Sequence, residues 1–301
     1  MNVVELLEWG KQQLKTHVDP RFQTLASPTL DAEVLLAHAL SVTKPQLFSR
    51  LNFEVSKKQI DAYQIFIERR IQHEPVAYIT GKKYFYNNVF EVNRNVLIPR
   101  PETETLVEEA LKIFKLYEEH RQKVRFLDVG TGSGAIAITL ATETHKSVLA
   151  GDVSAEALVI ARKNATSNKV SDQLTFVEGN LLEPFVPLLT VSHPEHTIIT
   201  ANLPYLTTHQ WTEAQPEVRD FEPRLALEAG YYGLDTYWLF FRQLLHYRKL
   251  LGASSVILCE IDPIQETKLP HLIREHFPES EIEIIPDLHG LSRIVRIVLS
   301  N

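Results

Sequence analysis

The sequence predicts an α/β fold in which a doubly wound, mostly parallel sheet follows a small helical bundle and a short β-hairpin. Three observations predict it. From Val124 onward, apolar runs of strand length alternate with helical patterns, as when strands are joined by crossover helices. A glycine-rich turn, Gly130-Thr131-Gly132-Ser133-Gly134, joins the first of those runs to its helix. Before about residue 75, apolar residues recur at the three- and four-residue steps of helices. A length of 301 residues suits a main domain with a smaller one. The expected division is a helical N-terminal domain over 1–75, a hairpin linker over 76–100 and the sheet domain over 101–301.

In the N-terminal segment, Val3, Val4, Leu6, Leu7 and Trp9 begin one helix, and Ser27-Pro28 precedes a second over 30–40. A third starts at Ser56, a suitable N-cap, and ends in Arg69-Arg70 at the negative helix end. Residues 75–81 are β-prone and read as extended chain ending in a turn. Tyr84-Phe85-Tyr86 and Val89-Phe90-Glu91-Val92, around Asn87-Asn88, read as the strands of a hairpin. Pro101 suits a first helical position, with Glu102 and Glu104 at the positive end of a helix through Phe114. Seven strands are expected after that, over 124–129, 147–152, 174–178, 197–200, 255–260, 281–285 and 293–299. Helices are expected over 135–141, over 155–165 behind a Ser154 cap, over 234–251 with Gly252 as the stop, and around 264–277. A short link at Gly290 suits a final antiparallel strand.

At 44% hydrophobic and 23% charged, the chain has the composition of a globular protein with ample core. A net charge of −7 argues against broad nonspecific nucleic-acid binding, and no direct nucleic-acid contact is expected. Cys259, the one cysteine, excludes an internal disulfide and a Cys-rich zinc site; it lies in an apolar run and is expected in the core, and no metal is expected. No apolar segment approaches the ~20 residues of a membrane span. Met1-Asn2-Val3-Val4-Glu5 lacks the basic and apolar regions of a signal peptide, so a cytoplasmic protein is expected.

Two sites carry chemistry. Asp128-Val129-Gly130-Thr131-Gly132-Ser133-Gly134 stands between a strand and a helix, where glycines allow a tight turn and let a ligand lie on bare backbone. Its spacing is shorter than that of the dinucleotide fingerprint. Asp152 ends the second strand, where a carboxylate can accept both hydroxyls of a ribose. Glycines alone would serve tight packing; glycines with this acid point to a nucleoside. The second site, Thr200-Ala201-Asn202-Leu203-Pro204-Tyr205, follows a strand and so lies at the ligand-binding mouth of the sheet. The Asn202 side-chain oxygen and the Leu203 carbonyl can each accept one N–H of a planar NH2 group. Pro204 restricts Leu203 to an extended backbone, and Tyr205 offers a flat wall. In isolation, Asn-x-Pro-Tyr would be an ordinary turn.

The glycine loop with Asp152 resembles the seven-stranded, Rossmann-like S-adenosylmethionine-dependent methyltransferases. The resemblance implies that Asp128, Gly130, Thr131, Gly132, Ser133, Gly134, Asp152 and Val153 hold S-adenosyl-L-methionine, that Asn180 and Leu181 line its adenine and that Asn202 adjoins it. Gly179-Asn180 stands where many members place an Asp. Methyltransferases acting on planar nitrogens carry Asn or Asp, Pro, Pro and an aromatic at the second site; glutamine-amide and adenine-N6 enzymes both do, so the motif does not choose between them. The variant with Leu is also that of ribosomal RNA adenine dimethyltransferases.

Other stretches are similar to the peptide chain release factor glutamine N5-methyltransferases: Leu30-Asp31-Ala32-Glu33, Glu74-Pro75-Val76-Ala77-Tyr78-Ile79-Thr80-Gly81, Phe85-Tyr86, Leu97-Ile98-Pro99-Arg100-Pro101-Glu102-Thr103-Glu104, Val218-Arg219-Asp220-Phe221-Glu222-Pro223-Arg224, Gly233-Leu234-Asp235 and Asp287-Leu288-x-Gly290. That resemblance spans nearly the whole chain. It implies methylation of the Gln side chain in the Gly-Gly-Gln loop of release factors, which the hairpin and N-terminal domain engage. Asn202, Leu203, Pro204 and Tyr205 would carry the catalysis and, with Phe85, Arg100 and Glu102, the substrate. Two departures stand out: Leu203 replaces the usual first proline, and Ser292 follows Leu291 where the family usually has Arg-Asp. The alternatives are an adenine N6-methyltransferase on RNA or DNA, motivated by the Leu203 variant, and a noncatalytic binding module.

Overall fold

The computed structural model describes residues 1–16, 27–190 and 196–300. Two compact units form: Met1–Lys82 with Ala214–Phe221, and Lys83–Glu213 with Glu222–Asn301.

The first unit holds α1 (Val3–Thr16), α2 (Pro28–Ala39), α3 (Lys44–Phe48), α4 (Lys57–Ile71) and α5 (Val76–Thr80). Residues 17–26 of the expected helical domain lie outside the described residues. Leu6, Leu7, Leu35, Leu36, Tyr63 and Ile67 form its buried core. Ser56 caps α4 as expected, its hydroxyl accepting from Gln59 N while the Gln59 side chain returns to Ser56 N. Thr43 and Gln46 close the same box on α3, a short helix that the periodicity did not single out. The extended reading of 75–81 is wrong. Pro75 presets the entry to a turn of helix, adjacent Tyr78 and Ile79 are both buried, and Gly81 ends it at φ 70. Strand-like residues over so short a run did not decide the period; burial of neighbouring rather than alternate residues did. The inserted turn Pro216–Arg219 is fastened to this unit by Arg70, which is buried and reaches both Asp31 and Glu217 at 2.8 Å.

The second unit opens with the expected hairpin, β1 (Lys82–Phe85) and β2 (Asn88–Glu91), turning at Tyr86-Asn87. Tyr86, at φ 52, donates its N–H to Glu104 at 2.8 Å. Pro101–Thr103 forms a single tight turn before α6 (Glu104–Glu119). Then β3 (Val124–Val129), α7 (Ala135–Thr144), β4 (Val148–Asp152), α8 (Ala155–Ser167), β5 (Leu174–Glu178), β6 (His196–Ala201), helix Asp235–Tyr247, β7 (Ser254–Glu260), helix Lys268–His276, β8 (Glu281–Pro286) and β9 (Ser292–Ser300) alternate. The helix expected over 234–251 tightens after Tyr247 into a 3-10 turn, Arg248–Leu250.

Among the described residues the sheet has seven strands in the order β5-β4-β3-β6-β7-β9-β8. β9 is antiparallel to both neighbours and the other pairings are parallel. The direction of winding reverses between β3 and β6, so their C-terminal ends open a crevice at the switch point. Buried on both faces, β3 is apolar along most of its length, and Cys259 of β7 is fully buried as expected. Phe240, Phe241 and Leu244 of helix 235–247 pack over Ile257, Val295 and Ile297 of the sheet. Beside the Ser292 departure, Arg293 takes up an ion pair with Asp287 at 3.1 Å and caps the Ile261 carbonyl at 3.3 Å. No described helix is long and apolar enough to cross a membrane.

Candidate active site

The glycine loop hangs from β4. Gly130 and Thr131 both donate their N–H to the Gly151 carbonyl at 2.9 Å, and Gly132 donates to Asp152 Oδ2 at 2.8 Å. From the other side, Asn164 of α8 donates from Nδ2 to the Ser133 carbonyl at 2.9 Å. The Asn164 oxygen accepts the Glu91 N–H at 2.6 Å, so one buried amide ties hairpin and loop together. Asp128 is fully buried beneath. Its carboxylate accepts from the hydroxyls of Thr131 at 2.6 Å and Thr200 at 2.8 Å, joining β3, the loop and β6. Burial pushes its carboxyl up to about 6, while those hydroxyls work in the opposite direction.

Asp152 also accepts from Ser154 N at 2.9 Å on its other oxygen. Burial raises its carboxyl despite these bonds. The Val153 N–H bears on it as well, so of the carboxylate's about four lone-pair sites three are engaged by backbone and one is left toward the cavity. After β5, Leu181 lies at φ 53, a costly left-handed conformation for a bulky residue. The next residue is clamped: Leu182 donates to Gln243 Oε1 at 2.8 Å, and Gln243 Nε2 donates to Glu183 at 3.0 Å.

After β6, Asn202 donates from Nδ2 to Thr103 Oγ1 at 3.2 Å. Leu203 lacks a proline ring but is not loose. Its side chain is buried in the core, and one methyl lies 3.0 Å from where a Cβ on Gly130 would sit. Tyr237 supplies a second hold. Its hydroxyl lies 3.1 Å from the Ala201 carbonyl and 2.5 Å from that of Glu260, and it accepts from the Leu203 backbone.

These loops enclose a cavity of about 440 Å³, within the usual range for small-molecule sites. Gly130, Gly132, Asp152, Val153, Asn180, Leu181, Asn202, Leu203 and Pro204 line it together, facing Val96, Leu97, Glu228 and Asp235. Asp128, Thr131, Ser133 and Gly134 are not in its lining. Tyr205 is not in its lining either: its ring packs on the core and its carbonyl accepts from Gln265 at 3.1 Å. Phe85 is buried against Phe90. Arg100 is paired with Glu222, whose other oxygen accepts the Ile98 N–H at 3.1 Å, and neither Arg100 nor Glu102 lines the cavity. Thr103, Tyr237, Gln243 and Glu260 carry no site signal of their own in the sequence; of the four, Thr103 alone falls within the motif over 97–104. Among the described residues no cluster of His, Cys, Asp or Glu could hold a metal.

Residues 5–81 match the family model of the PrmC N-terminal domain, and residues 107–203 match that of the ribosomal protein L11 methyltransferase, PrmA. A release factor glutamine methyltransferase of Bacillus cereus is 31% identical over 298 residues, 98% of each chain. The chain belongs to the release factor glutamine methyltransferase family. The family's member from Rhodopirellula baltica is 34% identical, covering 97% of this chain and 95% of its own. That from Bacillus subtilis is also 34% identical, over 88% and 89%. Among solved structures, the hMettl16 catalytic domain in complex with a MAT2A 3'UTR hairpin aligns with a TM-score of 0.53 at 13% identity, covering 100% of this chain and 91% of its own. At that identity the likeness speaks for the fold alone, which is that of an α/β methyltransferase.

Proposed function

We propose that the protein methylates the side-chain amide nitrogen of the glutamine in the Gly-Gly-Gln loop of peptide chain release factors, using S-adenosyl-L-methionine. The observation that carries this reading is that bare backbone at Gly132, the Asp152 carboxylate and the Asn202 carboxamide open on one cavity in a chain of this family. The fit to the cofactor is testable on the backbone. A Cβ at Gly132 would meet nothing within 4 Å, so no protein atom fills the space over that residue. Asp152 lines the same cavity and keeps an acceptor position for a ribose hydroxyl. When bound, S-adenosylmethionine supplies a methyl group activated on a sulfonium. Gly130, Gly132 and Val153 would lie under and beside it, with Asp152 at its ribose and Asn180 and Leu181 at its adenine.

The chain's own part is to present the acceptor nitrogen. An amide lone pair is delocalised into its carbonyl and is a poor nucleophile. Asn202 Oδ1 and the Leu203 carbonyl each accept one N–H, which points the nitrogen and favours its pyramidal form. Leu203 keeps its carbonyl aimed because Pro204 restricts its backbone and Tyr237 grips it from behind. Positioning and preorganised acceptors supply the rate. A nitrogen that has gained a methyl is strongly acidic and gives its surplus proton to water without a dedicated base. The helical N-terminal unit, matched to the PrmC N-terminal domain, is the part we assign to release-factor recognition.

The test is incubation with labelled S-adenosylmethionine and purified release factor, in parallel with RNA. Label in release factor is expected. Label in RNA alone would favour the adenine reading, and label in neither a binding module.

A further inference from the structure

Three side chains from distant stretches meet behind the cavity. Asn202, after β6, donates from Nδ2 to Thr103 Oγ1 at 3.2 Å. Thr103, in the turn before α6, is buried, and its hydroxyl bears on the carboxylate of Glu260 at the end of β7, favouring the ionised form against the effect of burial. Glu260 is 1% exposed and its Oε2 has no hydrogen-bond partner. A hydroxyl has one proton to give, an ionised carboxylate only accepts, and an amide nitrogen only donates. With Glu260 ionised, Thr103 must donate to Glu260 and accept from Asn202. The carboxamide then has its nitrogen toward Thr103 and its Oδ1 free for the cavity that Asn202 lines. The two ends of a carboxamide are nearly alike in shape, so the hydrogen-bond network, not sterics, makes that choice.

We propose that Thr103 and Glu260 are positioning residues that set which end of the Asn202 carboxamide faces the substrate nitrogen. This rests on the glutamine-amide reading, in which the nitrogen's own N–H must be accepted. Protonation of Glu260 reverses the chain: its O–H donates to Thr103, the Thr103 proton turns toward Asn202, and the carboxamide presents its nitrogen to the cavity. A donor then faces a donor. Burial pushes the Glu260 carboxyl up to about 7. Besides Thr103, the groups bearing on it are Arg293 of β9, Glu102 and Arg100 before α6, and the phenols of Tyr205 and Tyr237. Methyl transfer is therefore full above that value and falls as pH drops through it.

Thr103→Val keeps the volume and loses the hydroxyl, whereas Thr103→Ser keeps the hydroxyl. With release factor and labelled S-adenosylmethionine, Thr103→Val is expected to lower kcat about thirtyfold, while the cofactor Kd by calorimetry stays within about twofold. Thr103→Ser is expected to restore kcat to within about threefold of wild type. Glu260→Gln, which cannot ionise, is expected to abolish the acid limb that wild type shows near pH 7. Wild-type kcat in Thr103→Val, or an acid limb unchanged in Glu260→Gln, overturns the positioning role and leaves the glutamine reading standing. Should Thr103→Val fail to fold, as a melting curve would show, the Ser variant and the Glu260→Gln profile decide. Wild-type protein that leaves release factor unlabelled overturns the glutamine reading at the first step, before any variant is compared, and the positioning role with it.

Discussion

Gly132 and Gly134 sit two residues apart, both with positive φ, yet the space around each asks for something different. A Cβ at Gly134 would lie 2.8 Å from Ile138 Cδ1 and 3.3 Å from Ala161 Cβ, whereas one at Gly132 would enter open cavity. Both substitutions pay the left-handed strain of about 1–2 kcal/mol. Gly134→Ala is therefore expected to add a steric loss visible as a lower Tm, with cofactor Kd less affected. Gly132→Ala is expected to raise the S-adenosylmethionine Kd about tenfold or more, by calorimetry, with the smaller drop in Tm. Reversal of that pattern would remove Gly132 from the cofactor site. Asp128 offers a titration. Its folded value, about 6, lies above the ordinary 3.8, so its contribution to stability is full below the ordinary value and is lost as pH rises through about 6. The stability of wild type relative to Asp128→Asn, from urea unfolding, should fall between pH 4 and pH 7; a flat difference would contradict it. That Gly130, Gly132, Asp152 and Asn202 would open on one cavity was legible, because each stands at or just after the end of a recognisable strand. Thr103 and Glu260 were not: Thr103 is 99 residues from Asn202 in sequence, and only the tertiary fold brings them together.

Helix 235–247 does more than cover the sheet. Tyr237 gathers the ends of β6 and β7 and the Leu203 backbone, and Gln243 holds the turn that follows Leu181. Tyr237→Phe leaves buried carbonyls without that donor, a loss of about 1–3 kcal/mol. It is expected to lower kcat more than it changes cofactor Kd, because Leu203 lines the cavity on the side we assign to the acceptor; equal kcat in the Phe variant would show that Leu203 is aimed without Tyr237. The sequence made this helix plain but not its two polar clasps, because a Tyr and a Gln on an apolar helix face carry no sign of what they will meet. The seven strands were legible to within about a residue, since apolar runs bounded by glycine, serine or asparagine leave little choice. Residues 75–81 were not, because five residues rich in Val, Tyr and Ile fit either period.

Across the whole molecule, the winding reversal between β3 and β6 puts the glycine loop and the Asn202 turn at neighbouring strand ends. That juxtaposition was predictable once the strands were ordered. The capture of residues 214–221 by the helical unit was not, because it depends on Arg70 meeting Glu217. Arg70→Ala strands two carboxylates near a buried site and is expected to cost about 3–5 kcal/mol, read as an earlier melting transition. The most direct measurement is made on the Asn202 turn with the whole protein. Release factor is incubated with S-adenosylmethionine and either wild type or Asn202→Ala, and the Gly-Gly-Gln peptide is weighed by mass spectrometry while cofactor Kd is measured alongside. One added methyl group on the glutamine with wild type is expected, with a rate about 100-fold lower for Asn202→Ala at an unchanged Kd. An unmodified glutamine with wild type, or equal rates for the two proteins, would contradict it.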